Sequence, residues 1–452
     1  MIVVKNAVVW EKGEYKEKRL EIDDGESIIR EYERFYVFPG FVDSHIHLVG
    51  YGETFIFPDL SNAESKEDAM ERIFEGLSVS KYTGFLYAFG LKRERIEITS
   101  KDLDKISKKT PIILRRIDGH SVYLNQKARE FLGISYKEEY KGEDNTKIIK
   151  EVEKRIPEEI KEEGVLKAEE KLLSHGVTHA VSMTSPEDVE FLLKLKDRLN
   201  IEITIFPETQ DIRFVKKLGL PRIGGCILID GSFGSHTAAL SENYQDENTK
   251  GILYFSDEEL ERFIKEADRE GLQLTFHAIG DRAVKQLLSI YEKVIEEKNP
   301  KRHRIEHAEL LFPRLLERIK RLEVILSMQP AFELYWGGKE GMYEKRLGER
   351  KRYTNPFKTL FQHNIKICFG SDAPITEPIP SNVFKGCMEH PNPEERISFK
   401  EAITAYTENG AYAVGWENKF QLFFSQDFSL DQNLEPEIIT KNGKVILDRT
   451  SK

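Results

Sequence analysis

At roughly 150 residues per domain, a chain of 452 residues allows about three domains, or one large domain with a satellite. Apolar residues make up 39% and charged residues 32%, with no long biased tract, which excludes collagen-like, coiled-coil and wholly disordered chains. Lys plus Arg number 68 against 78 Asp plus Glu, and the net charge of −10 argues against non-specific attraction to nucleic acid or to an anionic membrane. The expected partner is a small molecule, with no nucleic acid or membrane partner and with a homo-oligomer left open. Cys226, Cys368 and Cys387 are too few and too scattered for a disulfide framework, and a reducing cytoplasmic location is expected. The N-terminal MIVVKNAVVWEKGEYKEK lacks the apolar core of a secretory signal, and no stretch reaches the roughly 20 apolar residues that span a bilayer.

The first 38 residues alternate short β-like runs with charged turns. The far end does the same at Gln421-Leu422-Phe423-Phe424, Ile438-Ile439 and Lys444-Val445-Ile446-Leu447. Residues 1–38 and 419–452 are therefore expected to build one small β-sandwich satellite. Between them, over 39–418, apolar strands alternate with amphipathic helices, as in a parallel α/β sheet or barrel. The strand candidates in chain order are 41–47, 177–182, 201–206, 226–230, 272–277, 303–307, 324–329 and 366–372. Their number, eight, is the one that closes a (β/α)8 TIM-like barrel. Two further strand-like runs, 85–89 and 112–116, are assigned to an insertion after strand one at about 50–145, and 147–170 reads as a charged helical stretch broken at Pro157. The helix from about Asp257 carries Leu260, Phe263, Ile264 and Ala267 at i, i+3, i+4 and i+7, one buried stripe.

Chemistry-bearing residues gather at strand ends. His45 and His47 stand two apart at the end of the first strand and so share a face. Alone, such a pair reads more simply as two ordinary polar residues at a strand end. Strand five, however, ends on His277, strand six on His307 and strand eight on Asp372. Barrel enzymes assemble their sites at the C-terminal ends of strands, so these five side chains are expected to converge. Glu306, by strand alternation, falls on the face opposite His307 and is not counted as a ligand.

The segments Pro39–His47, Asp230-Gly231-Ser232-Phe233-Gly234-Ser235, His277-Ala278-Ile279-Gly280-Asp281, Arg304-Ile305-Glu306-His307, Ser327-Met328-Gln329-Pro330 and Gly370-Ser371-Asp372-Ala373-Pro374 resemble those of the amidohydrolase superfamily, and within it the YtcJ-like branch of metal-dependent hydrolases. The resemblance runs nearly end to end. It implies a centre of one or two metal ions, usually zinc, held by His45, His47, His277, His307 and Asp372, with Asp372 also acting as the base. It further implies hydrolysis of a non-peptide C–N bond of a small molecule, such as an amide, formamide or cyclic amide. A related deaminase or esterase/lactonase, or a catalytically weak metal- or ligand-binding protein, are the alternatives.

The pattern is broken at two places. Where relatives usually carry a carboxylated, metal-bridging lysine, this chain has Cys226, read either as a substitute thiolate ligand or as a small buried filler. His236 stands where relatives tend to have arginine. The run Asp118-Gly119-His120-Ser121 resembles the loop that leans over the pocket, which makes His120 either a substrate-contacting catalytic residue or a surface histidine. Asp281 reads as a helix N-terminal residue, with an orienting bond to a ligand histidine left open. Phe332, Tyr335, Trp336 and Tyr343, after strand seven, form either an aromatic lid or the core face of a packed helix.

Overall fold

The computed structural model describes the chain apart from residues 27–28, 92–95, 117–118, 120, 296–297, 427–433 and 451–452. Two compact units emerge, one made of Met1–His47 with Glu169–Lys452, the other of Leu48–Ala168. Among the described residues no helix is long and apolar enough to cross a membrane.

In the first unit the two chain ends pair into one mixed six-stranded sheet, in the order Lys444–Asp448, Ile438–Lys441, Phe420–Phe424, Arg30–Pro39, Ile2–Glu11, Glu14–Ile22. One face buries Ile2, Val4, Ala7, Val9, Phe35, Val37, Phe423 and Ile438. Trp10 and Phe38 pack with the ring of Phe399, which opens the helix Phe399–Tyr406. The described strands make a single sheet where a two-sheet sandwich was expected, and this sheet shares its compact unit with the parallel strands.

Those parallel strands occur in three runs. Glu202–Pro207, Val177–Thr184 and Phe41–Ile46 form the first, Arg222–Ile223 and Gln273–Leu274 the second, and His277–Ala278, Arg304–His307, Ile325–Met328 and Ile367–Phe369 the third. Phe41–Ile46 and Val177–Thr184 are buried along their whole length, as suits strands covered on both faces. Backbone hydrogen bonds also link the last run to the first: Asp372 N–H donates to His45 O at 2.7 Å and His47 N–H to Ala373 O at 2.9 Å. The predicted stripe of the helix Asp257–Arg269 is buried at Leu260, Phe263, Ile264 and Ala267, and Ser256 with Glu259 closes a capping box at its start.

The fourth predicted strand is displaced. No strand covers 226–230; pairing is confined to Arg222–Ile223, apart from a bridge between Leu228 and His277. Gly224 and Gly225 end it, with φ of +103° and +58°, left-handed conformations that glycine alone adopts freely. A Cβ at Gly224 would lie 2.1 Å from the Thr275 carbonyl oxygen. Gly224→Ala is therefore expected to destabilise the fold by about 1–3 kcal/mol through strain and overlap, read as a lower midpoint in chemical denaturation. A wild-type midpoint would contradict this account of the turn.

The second unit carries a four-stranded sheet in the order Leu86–Leu91, Ile112–Arg116, Ser121–Leu124, Tyr140–Lys141. Alternation sends Leu86, Ala88, Ile112 and Leu114 into one apolar cluster and Tyr87, Ile113, Val122 and Leu124 into another. The inserted unit runs beyond the expected 145, because Ile148, Ile149 and Val152 of the helix Glu143–Glu153 belong to the second cluster. Pro157 stands in the break before the next helix, Glu158–Ser174.

Candidate metal centre

Strand one delivers His45, fully buried, and His47 just beyond its end. Asp43, two residues earlier, accepts bonds from Ser371 N–H at 2.9 Å and Ser371 Oγ at 2.6 Å, fastening the end of strand eight beside strand one. Asp372 then lies with Oδ1 3.2 Å from His45 Nε2 and 3.3 Å from His47 Nε2. Cys226 Sγ lies 3.8 Å from His277 Nδ1 and 3.9 Å from His307 Nε2. The ring centroids of His45 and His307 are 4.9 Å apart, and those of His277 and His307 4.4 Å. Two groups of three, His45–His47–Asp372 and His45–Cys226–His307, have their donor atoms within 4.8 Å of one another, and His45 is common to both.

The backbone is left-handed where it turns side chains inward. His307 has φ of +68° and Asp372 +58°, conformations that non-glycine residues rarely hold and that cluster at functional sites. This corrects the alternation argument for Glu306. Glu306 also faces the centre, its Oε2 2.6 Å from His45 Nδ1, because the turn at His307 lets two consecutive side chains reach the same place.

Three of the imidazoles have a hydrogen-bond partner that commits one nitrogen, and the fourth, His47, lies beside a carboxylate. His45 Nδ1 meets Glu306, His47 Nδ1 lies 3.3 Å from Glu208 Oε1, His307 Nδ1 donates to Gln329 Oε1 at 2.8 Å, and His277 Nε2 donates to the Gly231 carbonyl at 3.1 Å. The nitrogens left over are Nε2 of His45, His47 and His307 and Nδ1 of His277, and these face Asp372 and Cys226. His45 Nε2 is buried and makes no hydrogen bond of good geometry. Such pairing fixes tautomer and ring orientation around metals.

The charges respond to one another. Burial alone would raise the Asp372 carboxyl, but the neighbouring imidazoles of His45, His47 and His307 hold it well below the usual carboxylate range. Burial would likewise raise the Cys226 thiol, yet hydrogen bonding to His307, His45 and His47 brings it down to about 6. Against burial, Asp372 and Cys226 lift His45 and His47 well above the usual imidazole value, while burial dominates at His277 and His307 and lowers them. A thiolate, a carboxylate and four imidazoles whose inward nitrogens lack other partners suit zinc, which takes sulfur, nitrogen and oxygen together. The residues present therefore fit a metal ion.

The other sequence expectations divide. His120 lies outside the described residues. His236 is held between Asp246 at 3.1 Å and Glu247 at 3.0 Å. Asp281 accepts from Ser241 and Arg314 and touches no ligand histidine; the buried carboxylate near His277, at 3.8 Å, is Asp230, which accepts three backbone N–H groups, from Ala239, Ile279 and Gly280. Phe332 and Tyr343 are packed with Phe233, Tyr244, Leu310 and Leu347, and Phe332 stacks on His307 with ring centroids 6.2 Å apart. Tyr335 is exposed. Cys368 and Cys387 are buried. Glu208 was missed altogether; its position just after the strand Glu202–Pro207 was the available signal.

The fold agrees with the comparisons. The model of the amidohydrolase family matches residues 35–422, and the chain belongs to that family, hydrolases acting on carbon–nitrogen bonds and built on a TIM-barrel-type α/β fold. It is 27% identical to the putative amidohydrolase YtcJ of Bacillus subtilis, over 99% of this chain and 96% of that protein. An uncharacterized metal-dependent hydrolase from Pyrococcus furiosus, known from its crystal structure, is 26% identical with a TM-score of 0.78, covering 94% of this chain and 99% of that one. The N-substituted formamide deformylase of Arthrobacter pascens is 24% identical over 36% of this chain and 32% of its own length.

Proposed function

We propose that the protein is a zinc-dependent hydrolase that cleaves a non-peptide C–N bond, an amide, formamide or cyclic amide, of a small molecule. The observation that carries this reading is the pair of donor groups sharing the buried His45. His45, His47, Cys226, His277, His307 and Asp372 would hold one or two ions. Such an ion supplies Lewis acidity, drawing the pKa of a water towards about 7 and polarising a carbonyl oxygen. In this reading the three runs of parallel strands, with Gln273–Leu274 and His277–Ala278 counted as one stave, form one eight-stranded barrel, which would bring residues from strands one, five, six and eight together.

Asp372 supplies the proton chemistry. Its low pKa keeps it ionised at neutral pH, so a carboxylate oxygen can accept the proton of the attacking water. The same carboxyl returns that proton to the leaving nitrogen as the tetrahedral carbon collapses, so one residue serves both halves of the reaction. Asp43 and Ser371 hold the loop that carries it, and Phe332 gives the centre an apolar side against His307. The amide class is supported by the family and by the partial likeness to the formamide deformylase. A panel of amides, formamides, cyclic amides, esters and heterocyclic amines tests it on zinc-loaded protein. Chelator-sensitive turnover of the C–N substrates is expected; turnover confined to esters or to ring deamination, or unaffected by metal removal, would contradict it.

Cys226 would contribute a thiolate donor to the group it forms with His45 and His307. In chelated protein near neutral pH, Cys226 is expected to alkylate well ahead of Cys368 and Cys387, whose thiols burial pushes up. Zinc loading should protect it, and Cys226→Ser should lower zinc affinity. Unchanged zinc stoichiometry and activity in Cys226→Ser would make the cysteine a core filler.

A further inference from the structure

Beneath the cluster lies a buried ion pair that the proposed reaction does not use. Glu306 and Arg304 are both fully buried on one strand. Arg304 Nε donates to Glu306 Oε1 at 2.9 Å and Nη2 to Oε2 at 2.9 Å, while Nη2 also donates to the carbonyl of Ser44, the residue before His45, at 2.7 Å. Thr275, two residues before His277, donates its hydroxyl to Glu306 Oε1. The guanidinium rests on the Phe206 ring, 5.1 Å from its centroid. One carboxylate therefore touches strands one, five and six, and ends on His45 Nδ1.

Taking two charges out of water is expensive, and well-packed apolar residues would hold three strands together as well or better. The retained pair does what apolar residues cannot, since it presents a fixed acceptor to an imidazole. His45 is also the histidine common to both donor groups. The hydrogen-bond partners of His277 and His307 are neutral, Asp230 comes no nearer than 3.8 Å to His277, and Glu208, beside His47, is partly exposed. Resting on the metal reading above, we infer that Glu306 is a positioning residue: clamped by Arg304 and Thr275, it keeps the His45 proton on Nδ1 and aims Nε2 at the metal.

The experiment is zinc affinity by competition with a chromophoric chelator, together with side-chain spectra of 15N-histidine-labelled, zinc-loaded protein and melting of the metal-free forms. The double variant Arg304→Met with Glu306→Leu removes both charges and the acceptor facing His45 Nδ1, and leaves neither ion stranded. It is expected to melt near wild type, to bind zinc about 10–100-fold more weakly, and to lose an exchange-protected His45 Nδ1–H resonance seen in wild type. Glu306→Asp keeps the charge but draws the oxygen back by one methylene, and it is expected to lose part of the affinity even should the double variant fail to fold. Wild-type affinity in either folded variant, or an unchanged His45 resonance, would overturn the inference alone. Wild-type protein that takes up no zinc would overturn the metal reading, and this inference with it.

Discussion

Asp372→Asn is expected to lower turnover by about 10²–10⁴ at saturating substrate, because loss of a general acid–base typically costs that much. Asparagine preserves shape but accepts no proton. The carboxylate sits where its oxygen faces two imidazoles, at 3.2 and 3.3 Å, and those imidazoles hold it ionised. The variant also removes a donor, so zinc content must be measured with the rate. A variant that holds its zinc and turns over like wild type would show that the proton moves elsewhere. Glu208, 3.3 Å from His47, would then be the residue to test.

His45→Ala is expected to have the second large effect, on metal rather than on rate alone. His45 belongs to both donor groups, so its loss breaks both at once, whereas loss of His47 or of Cys226 breaks one. Partners outside the ligand shell already cost 10–100-fold in affinity when removed, so a shared ligand should cost on the order of 100-fold or more. The variant also leaves Glu306 without its imidazole, but Arg304 and Thr275 still satisfy that carboxylate. The chain is therefore expected to fold while failing to retain zinc through gel filtration. Full zinc retention would mean that the cluster is not the binding site.

Much of this centre was legible in the sequence because its donors are rare residue types at the ends of apolar runs. That His45, His47, His277, His307 and Asp372 come together follows from the rule that barrel sites gather at strand ends, and their reading as a ligand set came from the family resemblance. What stayed hidden has physical causes. Glu306 was placed on the wrong face because alternation assumes an extended backbone, and His307 leaves it with φ of +68°. Gln329 holds His307 and Glu208 lies beside His47, but both are common polar residues with no diagnostic spacing. The fourth strand shifted to Arg222–Ile223 because Gly224-Gly225 ends it, a breaker signal present in the sequence but outweighed by the apolar Ile227-Leu228-Ile229. The insertion ran long because its last helix looked solvated, although Ile148, Ile149 and Val152 give it a buried face.

The most direct measurement is X-ray diffraction at the zinc absorption edge from crystals of zinc-loaded protein. The account predicts one or two anomalous peaks at the centre, within about 2.0–2.1 Å of Nε2 of His45, His47 or His307 or Nδ1 of His277, and about 2.3 Å from Cys226 Sγ. No peak there, or zinc bound only at other residues, would contradict it.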